Sequence, residues 1–201
     1  MTDFFALLNE PRRPWIEPEA LKVKFLKLAA ETHPDKQRNT NEAERNAANR
    51  CYAELNAAYH CLAEPKSRLR HLLELELGVK PQDVQQIPAA LANLFAEVAT
   101  ACRNSDTFLA ERNKVTSPLL QVGFFERAQE WIQRLNLLQK KLNELREKLA
   151  SELKSHDEKW TATSAASRGE ILPKLEELYR LFGYFNRWNS QIQERIVQLK
   201  L

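Results

Sequence analysis

Hydrophobic residues along the chain recur at intervals of three and four, the period of one helix face, and seldom alternate as strand residues do. Phe4, Phe5, Leu7 and Leu8 mark a short first helix that Asp3 can cap and that Pro11-Arg12-Arg13-Pro14 breaks. Pro18 suits the first turn of a second helix running to about Thr32, with Leu21, Phe25 and Leu28 spaced i, i+4, i+7. Pro34 stops it, because the residue before a proline is pushed out of the α region. A polar loop, Lys36 to Thr40, leads to a third helix from about Asn41 whose inner face carries Tyr52, Leu55, Tyr59 and Leu62. Pro65 ends that helix and opens a fourth, Lys66 to Leu77, with Gly78 placed to cap it. Two antiparallel helices joined by a loop and closed by short flanking helices make one domain, residues 1–77.

Residues 78–87 are polar, contain Pro81, and read as a linker. Pro88 begins a helix with Leu91, Leu94, Phe95, Val98 and Cys102 on one side. Residues 104–123 are weakly patterned and predict loop mixed with short helix. From Phe124 the period is regular: Ala128, Trp131, Leu135, Leu138, Leu142, Leu145 and Leu149 form one seam. Ile171, Leu175, Leu178, Phe182, Phe185, Asn189, Ile192, Ile196 and Leu199 form its counterpart, with His156 to Arg168 as the polar turn between them. Asn189, the one polar residue in the last seam, either fixes the register or lies at the seam's edge. Residues 88–201 therefore predict a C-terminal three-helix bundle with two long antiparallel helices, and the whole chain an all-α fold.

Composition agrees: four glycines in 201 residues, with Leu, Ala, Glu, Lys, Gln and Arg abundant, favour helix nearly throughout. Thirty basic and 27 acidic residues leave a net charge of +3, too mixed for a nucleic-acid surface, so no nucleic acid is expected as partner. No apolar run approaches the roughly 20 residues that span a bilayer. The start, Met1-Thr2-Asp3-Phe4-Phe5, lacks the basic and long apolar segments of a secretory signal, so a cytoplasmic protein with no membrane partner is expected. Cys51, Cys61 and Cys102 form no C-x-x-C pair and predict reduced, mostly packed thiols rather than a metal site. Without a phosphate loop, clustered cysteines or an activated nucleophile, neither a cofactor nor catalytic residues are expected, and the chain does not read as an enzyme.

One short motif changes the picture. His33-Pro34-Asp35-Lys36 follows directly on an amphipathic helix, and the third helix ends in Leu55-Asn56-Ala57-Ala58-Tyr59, then Leu62, Pro65 and Arg68. With Phe5-x-x-Leu8 in the first helix, residues 1–77 resemble the J-domain family of DnaJ-like co-chaperones. The resemblance implies that the His33-Pro34-Asp35 loop and the second helix dock on the ATP-bound form of a DnaK-type chaperone and trigger its hydrolysis. Basic residues of that region, here Lys22, Lys24, Lys27 and Lys36, would approach an acidic surface of the chaperone. Leu26 stands where many J-domains carry a basic residue, and Glu31 lies one turn beyond Lys27.

Beyond residue 77 there is neither a Gly/Phe-rich linker nor a four-fold cysteine repeat. Arg68-x-x-His71-Leu72-Leu73, the helical C-terminal region and Leu181-Phe182-Gly183-Tyr184-Phe185-Asn186-Arg187-Trp188 resemble the HscB family, co-chaperones of iron–sulfur cluster assembly. That resemblance implies a DnaK- or HscA-type ATPase as partner and an IscU-type scaffold protein as client. The client would be held by Leu91, Leu94, Phe95, Glu97 and Val98 of the first bundle helix and by Tyr184 of the last. Glu97 is the only acid on a helix face where the family has several. An alternative is therefore a J-domain adaptor for a different client. A third reading is a self-associating structural protein, built on the long seams, whose J-domain is degenerate.

Overall fold

The computed structural model describes residues 2–32, 41–82, 87–115, 118–163 and 165–201, with side chains for all of these but 118–121 and 165–167. His33, Pro34, Asp35 and Lys36 lie outside the described residues. Among those described, secondary structure is entirely helical: α1 (Phe4–Leu7), α2 (Pro18–Thr32), α3 (Glu42–Ala63), α4 (Pro65–Leu77), α5 (Ala92–Arg112), α6 (Pro118–Ala162) and α7 (Leu172–Lys200). Short 3-10 turns precede α5 and α7.

Local chemistry sets the boundaries. Asp3 Oδ1 accepts from the Phe5 and Ala6 amides at 3.0 and 3.3 Å, capping α1. Asn41 Oδ1 accepts from the Glu44 amide at 2.9 Å and caps α3. Glu64 does the same for α4 through the Ser67 amide at 2.6 Å, with Pro65 in the first turn. Gly78 ends α4 at φ 70°, in the left-handed region where a β-carbon would be strained.

Two compact units emerge. The first joins Met1–Gln82 to Ala150–Arg180; the second joins Asp83–Leu149 to Leu181–Leu201. The break at 82/83 lies within the stretch 78–87 that the pattern reads as a linker. The stretch 150–180, which the pattern assigns to the bundle, groups by its contacts with the N-terminal helices.

In the first unit, α1, α2 and α4 pack on α3. Phe5, Leu8, Leu21, Leu55, Ala58, Leu62, Leu69, Leu72 and Leu73 are buried, and the Phe25 and Tyr59 rings stack at 4.3 Å. The expected polar turn from His156 is not there: α6 continues to Ala162. Leu153, Asp157 and Trp160, spaced by four and three, extend the seam and are buried. Residue polarity hides this, because a buried aspartate interrupts the apolar pattern.

In the second unit, Val98, Cys102, Phe108, Leu109, Ala128, Ile132, Leu135, Leu138, Leu142, Phe185, Trp188, Ile192, Ile196 and Leu199 form one core. Two expectations are corrected there. Helix α5 runs on to Arg112 rather than dissolving at 104, because Ser105, Phe108 and Leu109 continue its buried face. Ser105 escapes the hydrophobic pattern, but its hydroxyl donates to the Cys102 carbonyl at 2.9 Å and is satisfied in the core. The α6 seam passes through Ile132, not Trp131; Trp131 is half-buried at the edge, with the Arg134 guanidinium 5.0 Å from its ring centre. Asn189 is half-buried and accepts from Gln139 Nε2 at 3.0 Å, a polar clasp at the margin of the seam. Arg112 donates to the carbonyls of Gln198 and Leu199, occupying acceptors that the end of α7 leaves free. Of the three thiols, Cys102 is buried and Cys61 half-buried, whereas Cys51 is exposed. Among the described residues, no helix is long and apolar enough to cross a membrane.

Candidate functional site

Helix α2 turns Leu21, Phe25, Leu28 and Ala29 toward α3, which leaves Lys22, Val23, Leu26 and Lys27 on the opposite side, all exposed. Val23 and Leu26 are 64% and 55% exposed, large apolar side chains one turn apart. Lys24 behaves differently from its two neighbours. Its ammonium pairs with Glu10 at 2.6 Å and donates to the Asn9 carbonyl at 3.2 Å, so it is engaged within the fold. Lys36 lies outside the described residues.

The segment that launches α2 is clamped on several sides. Arg68, the arginine of the motif ending at the start of α4, is only 2% exposed. Its Nε donates to the Pro14 carbonyl at 2.7 Å, its Nη1 to the Leu62 carbonyl at 2.5 Å, and its guanidinium lies over the Trp15 ring. Burial pulls its pKa down to about 10, which leaves it charged at neutral pH. Arg13 grips the Asp157 carboxylate with Nε and Nη2, and the Trp15 amide donates to the same carboxylate at 3.1 Å. The hydrogen bond to Asp157 raises the Arg13 pKa. Trp160 Nε1 donates to the Arg12 carbonyl at 2.9 Å. Glu76 takes Arg12 at 3.9 Å and Arg168 at 3.7 Å. Residues 12–15 therefore have a fixed path, and α2 a fixed start.

The first turn is anchored by a histidine. His71 Nε2 accepts from the Phe4 amide at 3.0 Å, and its ring lies against Phe4 and Phe5. Accepting that hydrogen bond requires a neutral ring, and burial lowers its pKa accordingly.

The expected client residues of the second unit are divided by the fold. Phe95 is 41% exposed, and Glu97 is exposed but paired with Lys141 at 2.7 Å. Leu91 and Leu94 are half-buried against the core. Val98 and Tyr184 are in the core itself, so in this conformation they support the surface rather than form it. A residue that the pattern did not single out joins these groups: the Trp188 ring lies 5.8 Å from Tyr184, 5.8 Å from Phe185 and 6.1 Å from Phe95. Its spacing of three and four from two aromatics of its own helix was the available signal. Among the described residues, no group of three or more His, Cys, Asp or Glu could hold a metal ion.

Two solved structures share this arrangement of helices. The chaperone HscB from Vibrio cholerae matches with a TM-score of 0.61 at 17% identity, over 98% of this chain and 99% of that one. The fold is that of HscB. The human co-chaperone protein HscB also matches, with a TM-score of 0.63 at 17% identity, over 96% of this chain and 82% of that one. No family model matches the sequence, and no curated protein matches it. At such identity the likeness to HscB establishes the fold, and the role of each residue rests on the chain's own chemistry. In sequence, His33-Pro34-Asp35 lies between α2 and α3, the two helices that pack as a pair.

Proposed function

We propose that the chain is a co-chaperone that stimulates ATP hydrolysis by a DnaK- or HscA-type chaperone, contacting it through His33, Pro34 and Asp35 together with the exposed face of α2. The observation that carries this reading is an intact His-Pro-Asp sequence between α2 and α3 of an HscB fold. Physically the three residues suit a rigid polar contact. Pro34 restricts the backbone before binding, Asp35 offers an anionic acceptor, and His33 offers a directional hydrogen bond. The chain has no reaction of its own in this account and needs no cofactor; it shifts a conformational equilibrium in the partner, to which hydrolysis is coupled. The second unit presents the client, an iron–sulfur cluster scaffold protein of the IscU type, on the face around Phe95, in the cytoplasm.

The test is single-turnover ATP hydrolysis by the DnaK-type chaperones of the same organism, with the native protein and with His33→Gln. Stimulation by the native chain, lost in His33→Gln at unchanged helical content, is the expected result. Failure of every such chaperone to respond overturns the reading.

A second reading keeps the J-domain role and changes the client. It is favoured by the Glu97–Lys141 pair, which engages the one acid among the expected client residues, and by the burial of Tyr184. Capture of an IscU-type scaffold by the immobilised chain supports the first reading; no capture, with chaperone stimulation intact, supports the second.

A further inference from the structure

The outer face of α2 is not a basic surface. Val23, Leu26 and Ala30 succeed one another at spacings of three and four along its most exposed line, and all three are exposed. Lys22 flanks this strip on one side and Lys27 on the other, while Glu19 stands one turn before Val23. Lys24, the third lysine of the helix, is spent on Glu10 and the Asn9 carbonyl. Only two lysines of α2 therefore remain to meet an acidic partner. Between them lie two large apolar side chains that water covers in the free protein and that no packing requirement of the fold explains.

Resting on the co-chaperone reading above, we infer that Val23 and Leu26 are an apolar anchor that enters a shallow hydrophobic depression, bordered by acidic side chains, on the partner chaperone. Charge complementarity places the borders: Lys22 and Lys27 lie on opposite flanks of the strip, so acids on both sides of an apolar floor match it. Continuity supports the same occupant, because α2 leads within one residue of its end into His33-Pro34-Asp35. Apolar burial then supplies much of the affinity, and with two cations in play the salt dependence is shallow. The anchor selects among chaperones: one whose corresponding surface is uniformly acidic and hydrated gains nothing from Val23 and Leu26, and must dehydrate its own charges against them.

The experiment uses the chaperone that responds to the native chain and measures the concentration giving half-maximal single-turnover stimulation at several salt concentrations. In Val23→Gln/Leu26→Gln, both exposed and both replaced by a good helix former, that concentration should rise about tenfold or more. The maximal rate and the salt slope should stay as in the native chain. In Lys22→Gln/Lys27→Gln the salt slope should flatten instead. The inference is overturned if the Val23→Gln/Leu26→Gln chain stimulates at native concentrations. It is equally overturned if Val23→Lys/Leu26→Lys matches or exceeds the native chain. Native stimulation lost in His33→Gln keeps the co-chaperone reading intact in either event. A native chain that stimulates no chaperone removes that reading and the anchor with it.

Discussion

A histidine whose ring nitrogen accepts from a backbone amide cannot be protonated without losing that bond, and His71 is such a residue. Burial lowers its folded-state pKa; the carboxylates of Asp3 and Glu74 pull the other way, and Arg12 adds to the lowering. The unfolded chain therefore binds a proton here before the folded chain does. The stability that neutral His71 contributes is complete above the ordinary histidine value and is lost as pH falls toward the folded-state pKa. The urea midpoint of the native protein should fall between about pH 7.5 and pH 5.5, and His71→Gln should flatten that fall. Asp3 titrates in a lower window. Its own burial would raise its pKa, but Arg12 and the Ala6 and Phe5 amides outweigh that and hold it below the usual carboxylate value. Its contribution is present above that value and disappears only in more acid solution, so it does not confuse the measurement. His71 appears in the sequence only as part of Arg68-x-x-His71-Leu72-Leu73, with nothing to mark its proton-accepting role. Partners 67 residues apart leave no local signature. Asp157 is hidden for the same reason: its partners Arg13 and Trp15 lie more than 140 residues away.

Helices were the most legible level of the chain. The starts of α2 and α3 and both ends of α4 fell where proline, asparagine and glycine put them, because capping is local chemistry. Hydrophobic period alone was less dependable over the long helices, where one polar residue in the buried face, Ser105 in α5 or Asp157 in α6, looked like the end of an element. Phe108 tests the corrected α5 boundary. It is buried, with the Phe124 ring 5.6 Å away and the Arg127 guanidinium 5.0 Å from its own ring centre. Phe108→Ala should cost about 3–5 kcal/mol in chemical denaturation, the range for a core aromatic. At an exposed loop position, as the weak pattern suggested, the cost would stay within about 0.5 kcal/mol. The candidate site was legible in a similar way. The exposure of Lys22 and Lys27 follows from the period of α2, whereas the engagement of Lys24 needed Glu10, which the following turn returns to it.

At the scale of the whole molecule, the first unit is discontinuous in sequence. Trp160, Asp157, Leu153, Ile171, Leu175 and Tyr179 are buried in a unit whose other members lie before residue 83. Residues 1–82 produced alone should therefore melt at least about 10 °C below the intact chain, since losing these contacts removes several kcal/mol from a small domain. A melting temperature equal to that of the intact chain would show instead that these contacts contribute little. The sequence could not reveal this arrangement, since a hairpin tip that packs on its own bundle and one that packs on α4 present the same seam. The arrangement also puts folding on a clock. A ribosome adding about 5–20 residues per second needs roughly 5–20 seconds to pass from residue 82 to residue 180. Through that interval the nascent N-terminal helices hold Arg13 and the Trp15 amide without the Asp157 carboxylate that pairs with both in the finished fold.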